Sequence, residues 1–418
     1  MSDRRPALGF IFVTLTLDIL GIGLIVPILP KLIAQYQGGD VTMAATTYGV
    51  LHAIYALMQF LFAPLIGSLS DRFGRRPVIL ISLFGSGLDY LLIAYAPNLT
   101  WFVVGRIIAG ITGANFAAGT AYIADISPPE KRAANFGLIG AAFGLGFIIG
   151  PAMGGWLGDY GLKVPFLAAG GLTLINWLYG VFVLPESLAL ENRRTFSWAK
   201  SNPIGSLMAL RRFPSVLGLI TTSFLFTLGH QVYPAIWVLY TDYRYGWDTK
   251  ATGLSLAFVG VMAAIVQGGL TRVVVDKLGE VKTALFGLSL GVVMYVCYGF
   301  CSQGWMIYAC ILVGSLSGVA GPAVQGIMSR NVAADQQGGL QGSLTSLASV
   351  AGIVGPVMCT SLFGYFVSDK APVKVPGAAF FASAILSLFA LVLAVRALRR
   401  VTPHSAPAPE SSPTPSSH

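Results

Sequence analysis

Three ionisable residues lie inside long apolar segments. Asp18 stands near the middle of the segment 7–30, within LTLDILGIGLIVPILP, while Asp89 lies in LDYLL and Arg106 in GRIIAG. An unpaired charge at this depth of a bilayer costs roughly 3 kcal/mol or more. Burial disfavours the anion of a carboxylic acid, so Asp18 could bind and release a proton near neutral pH. We predict that Asp18 titrates during function; the alternative is a carboxyl group kept protonated for packing.

Asp89 and Arg106 flank a short turn near Pro97 and Asn98 at equal sequence distances. In an antiparallel helical hairpin they would lie at similar depth, about 10 Å below the outer end at 1.5 Å per residue. We therefore predict an ion pair or a shared network. The alternatives are that Arg106 extends to the membrane interface and that Asp89 has a purely structural partner.

The composition explains which elements hold these residues. The 418 residues have a mean hydropathy of +0.73 and only 10% charged side chains, against about 25% in soluble domains. A spanning helix needs about 20 apolar residues, which predicts an all-α integral membrane protein with twelve transmembrane helices. The predicted segments are 7–30, 46–69, 78–96, 99–124, 134–157, 164–184, 213–240, 252–275, 281–301, 305–329, 341–366 and 375–397.

The distribution of Lys and Arg fixes the predicted orientation. With a cytoplasmic N-terminus, most of the loop cations lie inside, as the positive-inside rule requires. The exceptions are Lys31, Lys163, Arg244, Lys250, Lys370 and Lys374. The net charge of +9 is thus explained by loop bias and not by nucleic-acid binding. We expect a multi-pass bacterial inner-membrane protein with both termini cytoplasmic, a monomer whose partners are lipid and a small-molecule substrate.

The two halves of the chain repeat. SDRFG at 70–74 matches VDKLG at 275–279, and GPAM at 150–153 matches GPVM at 355–358, both with an offset of 205. Parallel repeats related by an axis along the membrane normal are a transporter architecture. We predict a six-helix bundle in 1–185, a cytoplasmic loop in 186–212, a second six-helix bundle in 213–400 and a disordered tail in 401–418.

Several further residues are candidates for helix contacts or for a substrate cavity. Gly67 and small residues of 140–158 would let helices approach closely, and Pro151 would bend its helix. Asp71 is placed to meet a helix N-terminus or a nearby Arg. Polar and aromatic side chains could line a cavity, with helix–helix hydrogen bonding as the alternative for each. They are Tyr55, Gln59, Asn115, Gln231, Tyr233, Trp237, Gln267 and Gln325.

GSLSDRFGRRP at 67–77 resembles the signature loop of the major facilitator superfamily. The resemblance implies a network of Asp71 and Arg75 with Asp125 that latches the cytoplasmic side in the outward-facing state. GLGFIIGPAMGG at 144–155 resembles the antiporter motif of the superfamily, which marks exporters; simple tight packing is the alternative. The matching residues are Gly67, Asp71, Arg72, Gly74, Arg75 and Arg76 in the loop, and Gly144, Gly150, Pro151, Gly154 and Gly155 in the helix.

Over 7–365, segments such as YALMQFLFAPLIGSLSDRFGRRPVIL and GRIIAGITGA resemble the tetracycline/proton antiporters. This resemblance implies that Asp18, Asp89 and Arg106 are needed for transport. The family exports a metal–tetracycline monocation in exchange for a proton. Two positions depart from the family, because Gly291 and Ala263 stand where it has an aspartate and, often, a histidine.

We therefore predict a proton-coupled antiporter that exports an amphiphilic drug-like molecule by alternating access. The coupling ion is the proton, and a divalent metal would enter only as a chelate with the substrate. The alternative is an uptake permease or uniporter for a metabolite. No HExxH, nucleophile elbow or P-loop is present in the sequence, which argues against an enzyme or an ATP-driven pump.

Overall fold

The structure is a computed structural model that describes residues 8–128, 132–193, 213–333 and 336–400, together with 202, 205, 208 and 210. All regular elements in these ranges are helices. Eleven helical segments of the described chain are long and apolar enough to cross a membrane. The predicted seventh segment is the two consecutive helices Leu217–His230 and Val232–Tyr245, which meet at Gln231 and are each too short to span alone. The chain is a multi-pass membrane protein.

We number the membrane segments as spans 1 to 12 in chain order, with the helix pair just described as span 7. The other eleven are Leu8–Tyr36, Val41–Phe73, Arg75–Ala94, Leu99–Ile126, Leu138–Gly158, Val164–Val183, Thr249–Leu278, Glu280–Phe300, Gly304–Arg330, Gly339–Val367 and Ala378–Arg399.

Several spans are built from two helices or continue beyond the apolar window. The bipartite spans 1, 4, 8 and 10 are Leu8–Ile25 with Leu29–Tyr36, Leu99–Thr112 with Phe116–Ile126, Thr249–Ile265 with Thr271–Leu278, and Gly304–Gly314 with Ala320–Arg330. The complete helices of spans 5, 11 and 12 are Arg132–Gly158, Gln337–Val367 and Ala378–Arg400. Span 2 begins at Val41 rather than at the predicted residue 46. Asp40 caps it by accepting hydrogen bonds from the amides of Thr42 and Met43, and capping lets a helix continue past its apolar core.

The helices pack as two bundles, spans 1–6 and spans 7–12, which we call the N-terminal and C-terminal bundles. Span 1 packs on span 5 and span 3 on span 6; the same pairs recur as spans 7 and 11 and spans 9 and 12. Gly74 and Gly279, at the predicted offset of 205, join spans 2–3 and 8–9 with φ of 104° and 76°. Glycine alone adopts these values without strain. Of the predicted central loop 186–212, only 186–193 and four single positions are described, and the tail 401–418 lies outside the described residues.

The repeat also extends to an ion pair whose signs are exchanged between the bundles. Arg75 Nε lies 3.0 Å from an Asp125 oxygen, joining spans 3 and 4. At the offset of 205, Glu280 and Arg330 join spans 9 and 10 with 2.6 Å between Oε1 and the guanidinium. In each bundle, therefore, an ion pair joins the two equivalent helices at the same end of the molecule.

This end, which carries the 67–77 loop, is called the motif face, and the other end the opposite face. The two bundles meet through spans 2 and 11 and through spans 5 and 8. A Cβ at Gly49 would meet Thr360 and the carbonyl oxygen of Pro356, and one at Gly253 would meet the carbonyl oxygen of Pro151. These two contacts are equivalent under the repeat, and both lie in the halves of the spans nearer the opposite face.

Further contacts close the opposite face. Lys31 Nζ donates to the carbonyl oxygen of Trp247 at 2.5 Å and lies 3.7 Å from Asp242, so span 1 contacts span 7. Thr249 Oγ1 lies 3.1 Å from Asp159 Oδ1. Toward the motif face, added Cβ atoms at five glycines would meet no described heavy atom within 4 Å beyond their chain neighbours and the backbone of their own helix turn; these are Gly140, Gly144, Gly268, Gly269 and Gly342. The cleft between the bundles is therefore closed at the opposite face and open at the motif face.

Candidate functional site

Span 1 carries Asp18 at its centre, where the side chain is 5% exposed. The neighbouring residues are aliphatic, and span 1 packs against spans 5 and 6. Gly23 permits one of these close contacts, because a Cβ there would lie 2.7 Å from the carbonyl oxygen of Gly146. Because the side of span 1 that faces span 5 is tightly packed, the carboxyl group of Asp18 faces the interior of the N-terminal bundle.

The hairpin of spans 3 and 4 brings Asp89 and Arg106 together, as predicted. An Nη atom of Arg106 lies 3.5 Å from a carboxylate oxygen of Asp89, and both side chains are buried. Gly105 makes room for this approach, since a Cβ there would lie 2.7 Å from Asp89 Oδ1. Neither Asp89 oxygen has a hydrogen-bond partner among the described residues. The contact with Arg106 is therefore an ion pair without a hydrogen bond, and binding of a proton or a ligand could change the distance between the two groups.

The three charges share one cavity of about 140 Å³ in the N-terminal bundle. Its lining is mainly aliphatic and aromatic, with Asp18, Asp89 and Arg106 as its charged groups. Ligand sites in proteins are typically apolar cavities with a few placed polar groups. The other polar and aromatic residues of the lining are Tyr48, His52, Tyr55, Ser86 and Tyr90.

His52, Tyr48 and Tyr90 were not among the candidates from the sequence. His52 and Tyr48 lie one helical turn and two turns before Tyr55 on span 2, which was a candidate, so helical spacing could have found them. Tyr55 lines this cavity, and Gln59 Nε2 donates to its hydroxyl at 2.8 Å. The side chain of Asn115 lies outside the described part of the structure.

Four other candidates do not line this cavity, and their part in a substrate cavity stays a prediction. Tyr233 and Trp237 lie in an aromatic cluster of the C-terminal bundle with ring centroids 6.0 Å apart, and Trp237 Nε1 donates to Ser255. Gln267 and Gln325 are exposed on spans 8 and 10, and Gln325 donates to Gln341 at 3.0 Å. Span 7 does contact span 2 next to these aromatics, because Tyr48 donates to the carbonyl oxygen of Pro234 at 3.0 Å, but the rings of Tyr233 and Trp237 pack within the C-terminal bundle.

Gln231 likewise lies away from the cavity. It occupies the break in span 7 and packs on span 11, where a Cβ at Gly355 would lie 2.5 Å from its Cβ. Gln231 therefore packs between span 7 and span 11 at the helix break. This agrees with the alternative of helix–helix contact that the sequence left open.

The motif loop forms an ion cluster within the N-terminal bundle. Arg75 lies 2.6 Å from Asp71 and 3.0 Å from Asp125, and its guanidinium also donates to Ser70 at 2.6 Å. Asp71 thus meets a nearby Arg rather than a helix N-terminus. The predicted network is present while the cleft is open at the motif face, so the ion pairs themselves do not require the two bundles to meet there.

Glu186, which sequence reasoning missed, binds the N-terminus of span 3. Its carboxylate accepts from the backbone amides of Arg75 at 2.9 Å and Arg76 at 3.3 Å. A carboxylate is stabilised at a helix N-terminus by free amides and the helix dipole. Arg76 donates to the carbonyl oxygen of Val181 at 2.6 Å. The end of span 6 is thereby fixed to the start of span 3.

The remaining motif residues have smaller roles in this structure. Arg72 is exposed and lies 5.1 Å from the ring centroid of Phe73. A Cβ at Gly67 would meet only Ala117, at 4.0 Å, which is ordinary contact. The prediction that Gly67 permits a close helix approach is therefore wrong here. Gly74 is needed for its backbone conformation, and a Cβ there would meet Glu186.

The glycine motif of span 5 serves helix packing. A Cβ at Gly150 would lie 2.7 Å from the Cα of Gly23, and one at Gly154 would meet the carbonyl oxygen of Leu24, both on span 1. Gly155 instead faces span 8, with Thr249 O at 2.5 Å from an added Cβ. Gly144 faces open space, which corrects the expectation of close approach along the whole motif. Pro151 lies within the helix and contributes its carbonyl to the contact with Gly253.

Comparison with known proteins agrees with this architecture. Residues 11–356 match the family model of the Major Facilitator Superfamily, and the chain belongs to this superfamily of transporters. It is 43% identical over 357 residues to the class C tetracycline resistance protein of Escherichia coli, covering 85% of this chain and 89% of the relative. The class G tetracycline resistance protein of Vibrio anguillarum is 39% identical over 350 residues, with 83% and 88% covered.

Solved structures of other transporters share the fold of this chain. A bacterial homologue of the human lysosomal transporter Spinster, solved in an inward-facing and unoccupied conformation, superposes with a TM-score of 0.75 at 14% identity. The match covers 94% of this chain and 96% of that one. The structural match agrees with the fold, and the family match together with the tetracycline resistance relatives makes the chain a membrane transporter and not an enzyme.

Proposed function

We propose that the protein is a proton-coupled antiporter that exports tetracycline-type amphiphiles by alternating access. The observation that carries this proposal is the cavity in which Asp18 lies beside the Asp89–Arg106 pair. Relatives named as tetracycline resistance proteins, 36–43% identical over most of the chain, support the substrate class. The glycine motif of span 5 is explained by packing, so the direction of transport rests on these relatives.

The charges of the cavity suggest how exchange is coupled. With both carboxylates ionised, Asp18, Asp89 and Arg106 sum to one negative charge, which either one proton or one monocation neutralises. A proton gradient of one pH unit supplies about 1.4 kcal/mol per proton, which corresponds to tenfold accumulation. We propose a substrate of one positive charge, such as a tetracycline chelated to a divalent cation; the metal then belongs to the substrate.

We further propose that the motif face is cytoplasmic, in the inner membrane of a bacterium, and that the protein acts as a monomer. The positive-inside rule supports this orientation. In it, the structure represents the inward-open state, ready to bind substrate from the cytoplasm. Protonation from outside would then follow once spans 2 and 11, and spans 5 and 8, separate at the opposite face.

The test is uptake of Mg²⁺–tetracycline into everted membrane vesicles with an imposed pH gradient. We expect accumulation by the wild type and loss of gradient-driven accumulation in Asp18→Asn. Asp40→Asn is the matched control, because an exposed N-cap aspartate loses its charge while asparagine still caps. Wild-type vesicles that accumulate no drug would overturn the proposed substrate, and full accumulation by Asp18→Asn would remove Asp18 from coupling.

A further inference from the structure

Two of the four cysteines lie against each other at the opposite face. Cys301 directly follows span 9, and Cys310 lies about two turns into span 10. Their Sγ atoms are 3.5 Å apart, and both residues are buried. A disulfide has an S–S distance of about 2.05 Å, so an approach of about 1.5 Å would join the two sulfur atoms. All four cysteines are free thiols in this structure.

A cation and a hydroxyl group lie beside Cys301. Arg244 Nε at 3.3 Å and the hydroxyl of Tyr245 at 2.9 Å both donate to its carbonyl oxygen. A nearby guanidinium favours the thiolate form of a cysteine, and the thiolate is the nucleophile of disulfide exchange. Cys301 is therefore the member of the pair that is placed to react first.

The hairpin between the two cysteines supports the end of span 7. The ring of Trp247, just beyond span 7, packs on Tyr308 with 5.8 Å between the ring centroids. The carbonyl oxygen of Trp247 accepts the hydrogen bond from Lys31 that joins the two bundles at this face. A covalent bond across the hairpin 301–310 would therefore stabilise the C-terminal side of that contact.

We propose that Cys301 and Cys310 are a redox pair, which an organic disulfide oxidises to a disulfide that closes the hairpin 301–310. The thiolate of Cys301 attacks one sulfur of the oxidant, which forms a mixed disulfide and breaks the S–S bond of the oxidant. The thiolate of Cys310 then attacks Cys301 Sγ, and the second half of the oxidant leaves as a thiol. The protein loses two electrons and two protons, and the oxidant gains both as it becomes two thiols.

This inference goes beyond the proposed transport and depends only on the proposed orientation. With the motif face in the cytoplasm, the pair lies at the periplasmic end, and the bacterial periplasm is a compartment in which disulfides form and persist. Both cysteines belong to the C-terminal bundle, so the bond does not cross the cleft and leaves the two bundles free to move. A bridge of this kind stabilises a protein mainly by restricting its unfolded chain.

The first experiment maps the cysteines of the full-length wild type. Cells are denatured directly in an alkylating reagent, and the isolated protein is digested with chymotrypsin, which cleaves after aromatic residues. Aromatic residues such as Trp305 lie between successive cysteines, so only a disulfide keeps two cysteine peptides joined. Mass spectrometry should find the Cys301 and Cys310 peptides joined, and Cys297 and Cys359 alkylated.

The second sample is purified, reduced, full-length protein treated with oxidised glutathione as the probe. A joined Cys301–Cys310 pair in either sample supports the proposal, and its absence from both would overturn it. A pair that forms with glutathione and not in cells would support the redox pair and contradict the proposed orientation. Neither sample contains drug, so a failure of the proposed function is recognised separately, in the uptake assay.

Thermal unfolding in detergent measures what the bridge contributes. Reduction of the oxidised wild type should lower the unfolding midpoint by several degrees, because the reduced chain gains conformational freedom when it unfolds. Cys301→Ala should show no such dependence on reductant. Cys359→Ala, which changes another buried cysteine of the same bundle, should keep it. An equal reductant-dependent shift in both variants would contradict the pair, and if Cys301→Ala does not fold, the peptide map of the wild type decides alone.

Discussion

Arg106 reaches across the hairpin of spans 3 and 4 to within 3.5 Å of Asp89, and both side chains are buried. This ion pair is the principal charge contact in the cavity, and Gly105 leaves the space that it occupies. Removing one member of a buried pair costs about 3–5 kcal/mol, because the other charge is left without compensation.

We therefore expect Asp89→Asn to lower the free energy of unfolding by about 3–5 kcal/mol and to abolish exchange. Thermal unfolding in detergent and vesicle uptake would measure the two effects. Asp40→Asn, the same chemical change at an exposed helix cap, should match the wild type. A variant as stable as the wild type would show that the pair does not hold the hairpin.

The motif loop offers a comparison between neighbouring arginines. Arg75→Gln removes the cation between Asp71 and Asp125, and the loss of charged hydrogen bonds should cost about 1.5–3 kcal/mol. Arg72→Gln removes an exposed side chain and should change stability by no more than about 0.5 kcal/mol. Equal stability of the two variants in detergent would argue against the ion cluster.

The span 5 motif allows a similar comparison between glycines. Gly154→Ala forces a Cβ against the Leu24 carbonyl of span 1, and such overpacking typically costs about 1–3 kcal/mol. Gly144→Ala meets open space in this conformation and should be neutral or stabilising by roughly 0.5–1 kcal/mol, because alanine favours the helix. Thermal unfolding of both variants would check this order, and a reversal would mean that the packing of spans 1 and 5 differs from that described.

Lys31 and Asp242 close the opposite face between the two bundles. Since Asp242 is half exposed, the pair should contribute at most about 1 kcal/mol. Lys31→Met removes this pair and also the hydrogen bond to the carbonyl oxygen of Trp247, so it should raise the ratio of molecules open at this face to molecules closed there by about fivefold or more. Spin labels at positions 43 and 302, in protein whose native cysteines are replaced, would report the distance distribution between the two bundles at this face.

The control for this experiment is Lys163→Met, an exposed lysine of another loop on the same face. An unchanged distance distribution in Lys31→Met, or an equal change in both variants, would show that the Lys31 contact does not bias the conformation.

The sequence by itself determined the membrane class, the number and order of the spans, the repeat with its offset of 205, and the depth of Asp18, Asp89 and Arg106. These features depend on position along the chain, because each residue of a helix advances by 1.5 Å. The pairing of Asp89 with Arg106 could be predicted for the same reason, since a hairpin turn relates depth on one helix to depth on the next.

Only the tertiary structure decided which side of each helix faces the cavity. Lipid tails and a protein interior are both apolar, so a membrane helix has little of the polar and apolar alternation that reveals the buried face of a soluble helix. For that reason His52 could not be placed beside Asp18, nor Tyr233 and Trp237 assigned to a separate aromatic cluster, from the sequence alone. The contrast between Gly144 and Gly154 has the same origin, because the neighbour that each glycine meets depends on how the helices pack around span 5.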